Sequence, residues 1–237
     1  MKAIILAAGR GSRMKAMTDD RPKCLVEFRG KPLLQWQIEA LQAAGITDIG
    51  IVTGYKRELL ADRGLVEFHN PRWSETNMVS SLACARDWLL AEPCIVSYSD
   101  IFYESNAVSA LMESVAALAI TYDTQWLELW SRRFGDPLLD AETFRLNADG
   151  TLAEIGGKPS SIAEIEGQYM GLLRFTPAGW SEIEAIRKAL PQTDQDRMHM
   201  TGTLQRVIDA KRIGIGTVPY TGTWGEIDSI DDLSAYS

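Results

Sequence analysis

The residues best suited to chemistry lie near the start of the chain. Leu6-Ala7-Ala8-Gly9-Arg10-Gly11-Ser12-Arg13-Met14 is followed by Pro22-Lys23. Small residues let backbone amides come close to an anion. Arg13 can fork two hydrogen bonds onto phosphate oxygens, and Lys23 adds a compact point charge. Leu6, Ala7, Ala8, Gly9 and Gly11 are therefore candidate nucleotide-binding residues, with Arg13 and Lys23 as candidate catalytic groups. Two common nucleotide loops are excluded. The dinucleotide fingerprint needs a third glycine where this chain has Met14, and the P-loop needs a Gly-Lys-Ser/Thr ending that is absent. Charge points the same way. Residues 1–31 hold eight Lys or Arg against three acidic residues, a net +5, which leaves -13 on the rest of a chain whose total is -8. A basic patch on an acidic body suits a small polyanion and argues against DNA or RNA as partner.

Aromatic residues mark the second half. Trp126 and Trp130 stand at i, i+4, on one face if that segment is helical. Tyr169 follows Glu166-Gly167-Gln168, and Trp224 precedes the acidic stretch holding Glu226 and Asp228. Aromatic faces attract quaternary ammonium groups, although a pair at helical spacing also suits a core. Trp126, Tyr169, Trp224 and Glu226 are the candidate acceptor-binding residues.

These groups need a scaffold. Lys2–Ala7, Asp48–Thr53, Leu65–Phe68, Cys94–Tyr98 and Ala117–Tyr122 read as strands. Helices are predicted from Pro32 to just before Gly45, over 77–90 and over 107–116. This alternation predicts an α/β fold: one Rossmann-like domain over 1–237, its mixed, mostly parallel sheet flanked by helices. Residues 1–122 would form the nucleotide-binding half and 123–237 the acceptor-binding half. In that second half, strands are expected over 143–146, 152–155, 171–175 and 213–218, and helices over 180–189 and 202–210. Asp100 directly follows an apolar strand, so it should project at the sheet edge that carries the glycine loop, or else serve as a turn or cap residue. Three cysteines without CxxC spacing indicate neither a disulfide framework nor a zinc site. No run approaches the roughly 20 apolar residues that span a bilayer. A cytoplasmic protein without membrane or nucleic-acid partners is the expectation, and oligomeric state stays open.

The glycine loop with Arg13 and Pro22-Lys23 resembles the nucleotidyltransferases that activate sugar phosphates and related acceptors. The resemblance runs along nearly the whole chain. It is closest to phosphocholine cytidylyltransferase-like members, through Glu75-Thr76-Asn77-Met78-Val79-Ser80-Ser81-Leu82, Tyr98-Ser99-Asp100 and Trp224-Gly225-Glu226-Ile227-Asp228. It implies that the loop wraps a triphosphate and that Lys23 stabilises the phosphate undergoing substitution. It also implies that Asp100 and Asp228 bind Mg2+, an ion that prefers oxygen ligands; a solvated acidic turn is the other account of Asp228. Asn77 and Ser81 would approach the base, with a helix N-cap as the other account of Asn77. Lys158 would meet the acceptor phosphate, or be a plain turn lysine.

The resemblance implies transfer of a nucleotidyl group, CMP from CTP, to a small phosphorylated acceptor such as phosphocholine, with release of pyrophosphate. A sugar-1-phosphate enzyme, a cytidylyltransferase for a phosphonate or a phosphorylated amino acid, and a non-catalytic nucleotide sensor are the alternatives. One departure bears on the acceptor: His199 precedes Met200-Thr201, where similar proteins often carry an acidic residue.

Overall fold

Short apolar runs closed by glycine or polar residues leave room for strands and none for helices, and in the computed structural model they pair as one sheet. The structure describes residues 1–236. β1 (Lys2–Ala7) is followed by a small ribbon, β2 (Glu27–Phe28) and β3 (Lys31–Pro32), then α1 (Leu33–Ala43), β4 (Ile49–Thr53) and β5 (Val66–His69). Next come α2 (Met78–Leu82), α3 (Arg86–Ala91), β6 (Cys94–Tyr98), β7 (Ile101–Tyr103), α4 (Ser105–Met112) and β8 (Leu118–Asp123). The chain continues with α5 (Trp126–Phe134), β9 (Phe144–Leu146), β10 (Leu152–Ile155), β11 (Gln168–Phe175) and α6 (Pro177–Lys188). α7 (Gln192–Arg197), α8 (Met200–Ala210), β12 (Ile215–Tyr220), β13 (Trp224–Glu226) and α9 (Ile230–Ala235) complete the order.

The main sheet has seven strands in the order β12-β8-β11-β6-β1-β4-β5. β1 pairs parallel with β4 and β6, β5 with β4, and β12 with β8. β11 runs antiparallel between β6 and β8. Ile4 and Ile5 point to opposite faces of β1 and both are fully buried, as expected for a central strand with helices on either side. α1 buries Leu33, Leu34 and Leu41. The sheet is thus the mixed, mostly parallel one predicted.

Local differences have local causes. The helix predicted over 77–90 is broken into α2 and α3 by a 3-10 turn at Ala83–Ala85, which buries Ala85 and leaves Ala83 half-buried. The helix predicted over 107–116 starts and stops earlier, at Ser105–Met112. β11 begins at Gln168, so Tyr169 lies in a strand that was expected to start at Gly171. Among the described residues no helix is long and apolar enough to cross a membrane.

Candidate active site

The loop after β1 is shaped around one lysine. Gly11 has a φ of 72°, and a Cβ there would stand 2.8 Å from the Lys23 Cβ. Glycine accepts the left-handed backbone without penalty and lets the Lys23 stem pass beside the loop. Lys23 itself is buried. Its Nζ donates to Asp100 Oδ2 at 2.8 Å and to Asp228 Oδ1. Burial pulls the ammonium down, but the charges of Asp100 and Asp228 prevail and hold it above the usual lysine range. Arg13, two-thirds exposed, reaches Asp228 Oδ2 at 2.8 Å.

A short ribbon brings the acidic residues together. β7 and β13 pair antiparallel with Ile101 opposite Glu226, and the Ile227 N–H donates to the Asp100 carbonyl at 2.9 Å. Asp100 precedes one strand and Asp228 follows the other, so this register sets them side by side. Carboxylate oxygens of Asp100, Glu226 and Asp228 lie within 4.8 Å of one another. Asp100 Oδ1 is buried with no hydrogen-bond partner. An orphaned oxygen among three converging carboxylates fits a hard divalent cation, which takes oxygen ligands. Burial, then repulsion from Asp228 and Asp100, pushes Glu226 up to about 8 against the pull of Arg133 and Lys23. Glu226 thus stands within the carboxylate group and also lines the second of the two cavities beside it.

Two cavities open on this cluster. One, of about 220 Å³, is lined by Leu6, Ala8, Gly9, Gly11, Arg13, Lys23, Asn77, Ser81 and Asp100, with Trp73 as a further wall. Ala7 is buried in β1 and is not among its lining residues. Asn77 is the N-cap of α2, its side chain accepting from the Met78 N–H at 2.7 Å, while still facing the cavity. The Ser81 hydroxyl accepts from Asn70 Nδ2 at 2.9 Å. The second cavity, of about 240 Å³, is lined by Trp130, Tyr169, Trp224, Glu226 and Asp228, with Glu142 and Thr201. Arg13, Met78 and Tyr98 line both.

Two acceptor candidates stand elsewhere. Trp126 is buried and packs against Trp130 with ring centroids 6.3 Å apart, but it does not line the cavity; Trp130, one turn on, does. Lys158 is exposed, and its ammonium donates to the carbonyls of Leu138 and Leu139 on the loop that follows α5. A turn lysine satisfied by carbonyls is what the structure shows there. His199 caps α8, its Nδ1 accepting from the Gly202 N–H at 3.3 Å.

Sequence reasoning passed over Arg133. Its side chain is fully buried, with Nε 2.8 Å from Asp232 Oδ1 and Nη1 3.3 Å from Glu226. Asp232 Oδ2 in turn accepts from the N–H groups of Asp228 and Ser229 at 2.9 and 2.8 Å. This chain of bonds holds the turn bearing Asp228. The only signal was a basic residue at the end of a helix, which solvent or the helix dipole explains equally well.

Comparison with known proteins agrees with this geometry. Residues 3–159 match the family described as MobA-like NTP transferase domain. The chain is 39% identical, over 98% of both sequences, to the CTP:phosphoglutamine cytidylyltransferase of Campylobacter jejuni. It is 42% identical to the choline-phosphate cytidylyltransferase of Streptococcus pneumoniae across 38% of this chain and 41% of that one. The inositol-1-phosphate CTP transferase from T. maritima shares the fold, with a TM-score of 0.78 at 18% identity, covering 99% of this chain and 95% of that one. With a lysine between two aspartates at the junction of two cavities, and with these relatives, the chain belongs to the MobA-like NTP transferase family and is a nucleotidyltransferase.

Proposed function

We propose that this enzyme moves CMP from CTP onto the phosphate of a small acceptor that carries a cationic nitrogen group, and that it requires magnesium. The observation that carries the reading is the junction: two cavities share walls at Arg13, Met78 and Tyr98, with Lys23, Asp100 and Asp228 where they meet. A triphosphate in the first cavity and a phosphate in the second would bring their reacting atoms to that point. An acceptor phosphate oxygen attacks the α-phosphorus, the bond to the β-phosphate oxygen breaks, and pyrophosphate leaves with the electron pair. Lys23 offsets the charge that builds at the α-phosphate, and Arg13 reaches the outer phosphates. Asp100 and Asp228, with Glu226 beside them, would hold magnesium, which would supply positive charge to the phosphate oxygens. No protein nucleophile is needed, since the acceptor phosphate fills that role and catalysis rests on positioning and charge.

Support for CTP and for a cationic acceptor comes from two relatives whose names specify CTP with phosphoglutamine or transfer of a cytidylyl group to choline phosphate. The acidic, aromatic walls of the second cavity agree. Of the aromatic candidates, Tyr169, Trp130 and Trp224 carry this role, and Trp126 supports Trp130 from behind. The test is pyrophosphate release from CTP, UTP, dTTP, ATP and GTP against phosphocholine, phosphoethanolamine and hexose 1-phosphates, with and without EDTA. CTP with an amine-bearing phosphate should lead, and EDTA should abolish turnover. Preference for dTTP or UTP with a hexose 1-phosphate would overturn the reading.

A further inference from the structure

We infer that Glu142 selects the acceptor: its carboxylate receives a primary ammonium group, so the preferred substrate is a phosphate compound that keeps a free primary amine, as a simple amine or an amino acid, and not a quaternary ammonium ester. This rests on the reading of the second cavity as the acceptor site, and it narrows the acceptor class given there.

Glu142 lines that cavity and its backbone is clamped. The buried Gln168 side chain donates from Nε2 to the Glu142 carbonyl at 2.8 Å and accepts from the Glu142 N–H at 3.3 Å. The carboxylate is held far less well. Thr201 Oγ1 lies 3.4 Å from Oε1, and among the described residues no other hydrogen bond or ion pair to this carboxylate occurs. Burial pushes the Glu142 carboxyl up, only partly countered by Thr201 and His199. A carboxylate on a clamped backbone, short of donors and partly desolvated, calls for a ligand that brings N–H groups.

A primary ammonium has three such donors. A trimethylammonium group has none, so it would desolvate Glu142 further without filling its lone pairs, and an unfilled buried acceptor is costly. The aromatic walls offset this less than their number suggests. The Arg133 guanidinium already lies against the Trp130 ring, 5.3 Å from its centroid. Trp224 is tied by its indole N–H to Asp123 Oδ2 at 2.9 Å. An indole that already serves one cation has less to offer a second.

The experiment compares phosphoethanolamine, phosphocholine and ethyl phosphate as acceptors, with CTP, in wild type and Glu142→Gln. The glutamine keeps the shape and the backbone clamp and removes the charge. Wild type should favour phosphoethanolamine over phosphocholine in kcat/KM. In the variant the KM for phosphoethanolamine should rise about 10- to 100-fold, the scale of a hydrogen bond to a charged group, and its lead over ethyl phosphate should collapse. A thermal melt close to wild type shows that the change is local; if Glu142→Gln does not fold, the wild-type ranking of the three acceptors decides alone. A wild type that prefers phosphocholine, or a folded variant that keeps the wild-type ranking, overturns the inference while the cytidylyltransferase reading stands. No pyrophosphate from CTP with any of the three would overturn that reading and this inference together.

Discussion

Lys23 joins two carboxylates that belong to distant parts of the sequence, and in the proposed reaction its charge stands where negative charge would build during transfer. Lys23→Ala should therefore cost about 100-fold or more in turnover, the scale of losing one transition-state donor. Arg13→Ala should act mainly on the KM for the triphosphate, because in the proposed reaction that exposed side chain reaches the outer phosphates. Steady-state kinetics on both variants checks the split, and a Lys23→Ala enzyme with near-normal kcat would make the lysine structural. The carboxylates give a second expectation. Asp100→Asn, Glu226→Gln and Asp228→Asn should each raise the magnesium needed for half-maximal rate by about ten-fold or more. Manganese binding followed by electron paramagnetic resonance, beside thermal melts, separates lost metal affinity from lost fold. At this scale the sequence was legible where a loop motif fixes residue types at set spacing, as with Gly11, Arg13 and Lys23, which the structure brings together. It was illegible where several residues satisfy the same pattern. Helical spacing puts Trp126 and Trp130 on one face, but nothing in the spacing says which of them ends beside a cavity. Glu142 and Gln168 are polar residues among many, and only their meeting across the fold gives them a role.

Elements placed by these residues are held by a few specific bonds. The strands of the main sheet followed from apolar runs but their order in it did not, and β7 and β13 escaped prediction because three residues are too few to show a period. That ribbon is nonetheless what aligns Asp100 with Asp228. Arg133 ties α5 to β13 and α9 from a fully buried position between Glu226 and Asp232. Arg133→Met would leave two carboxylates near each other without their cation, at a cost of about 3–5 kcal/mol. For a chain of this size that is a fall in Tm of roughly 6–20 °C, since each kcal/mol shifts it by about 2–4 °C. Calorimetry reads it directly, and a Tm within a degree of wild type would show that Arg133 carries little. Gly11→Ala tests the loop in the same way. With φ at 72° and the new Cβ 2.8 Å from the Lys23 Cβ, either the loop or the lysine must shift. Turnover should drop much as in Lys23→Ala, while the melt falls only by the modest cost of one residue in the left-handed region. An alanine enzyme with wild-type kcat would mean that the loop can open without moving Lys23.

Across the whole molecule residues 1–122 and 123–237 are not separable bodies. β8 comes from the first half but lies between β11 and β12 of the second. A fragment of residues 1–122 would leave both edges of β8 and one edge of β6 unpaired, with their apolar faces in water. It should lack a cooperative thermal transition and be prone to aggregate, which circular dichroism and size-exclusion chromatography can follow. A soluble, cooperatively melting fragment would mean that the first half is a folding unit after all. The same topology sets a timetable for synthesis. Asp100 and Asp228 are 128 residues apart, and at roughly 5–20 residues per second a ribosome takes about 6–26 s to pass from one to the other. During that interval the glycine loop, Lys23 and Asp100 already exist, and the strand that will carry Glu226 does not. A nascent chain arrested in this window would carry the loop residues but neither the full sheet nor the carboxylates that complete the proposed centre, so activity requires translation past residue 228.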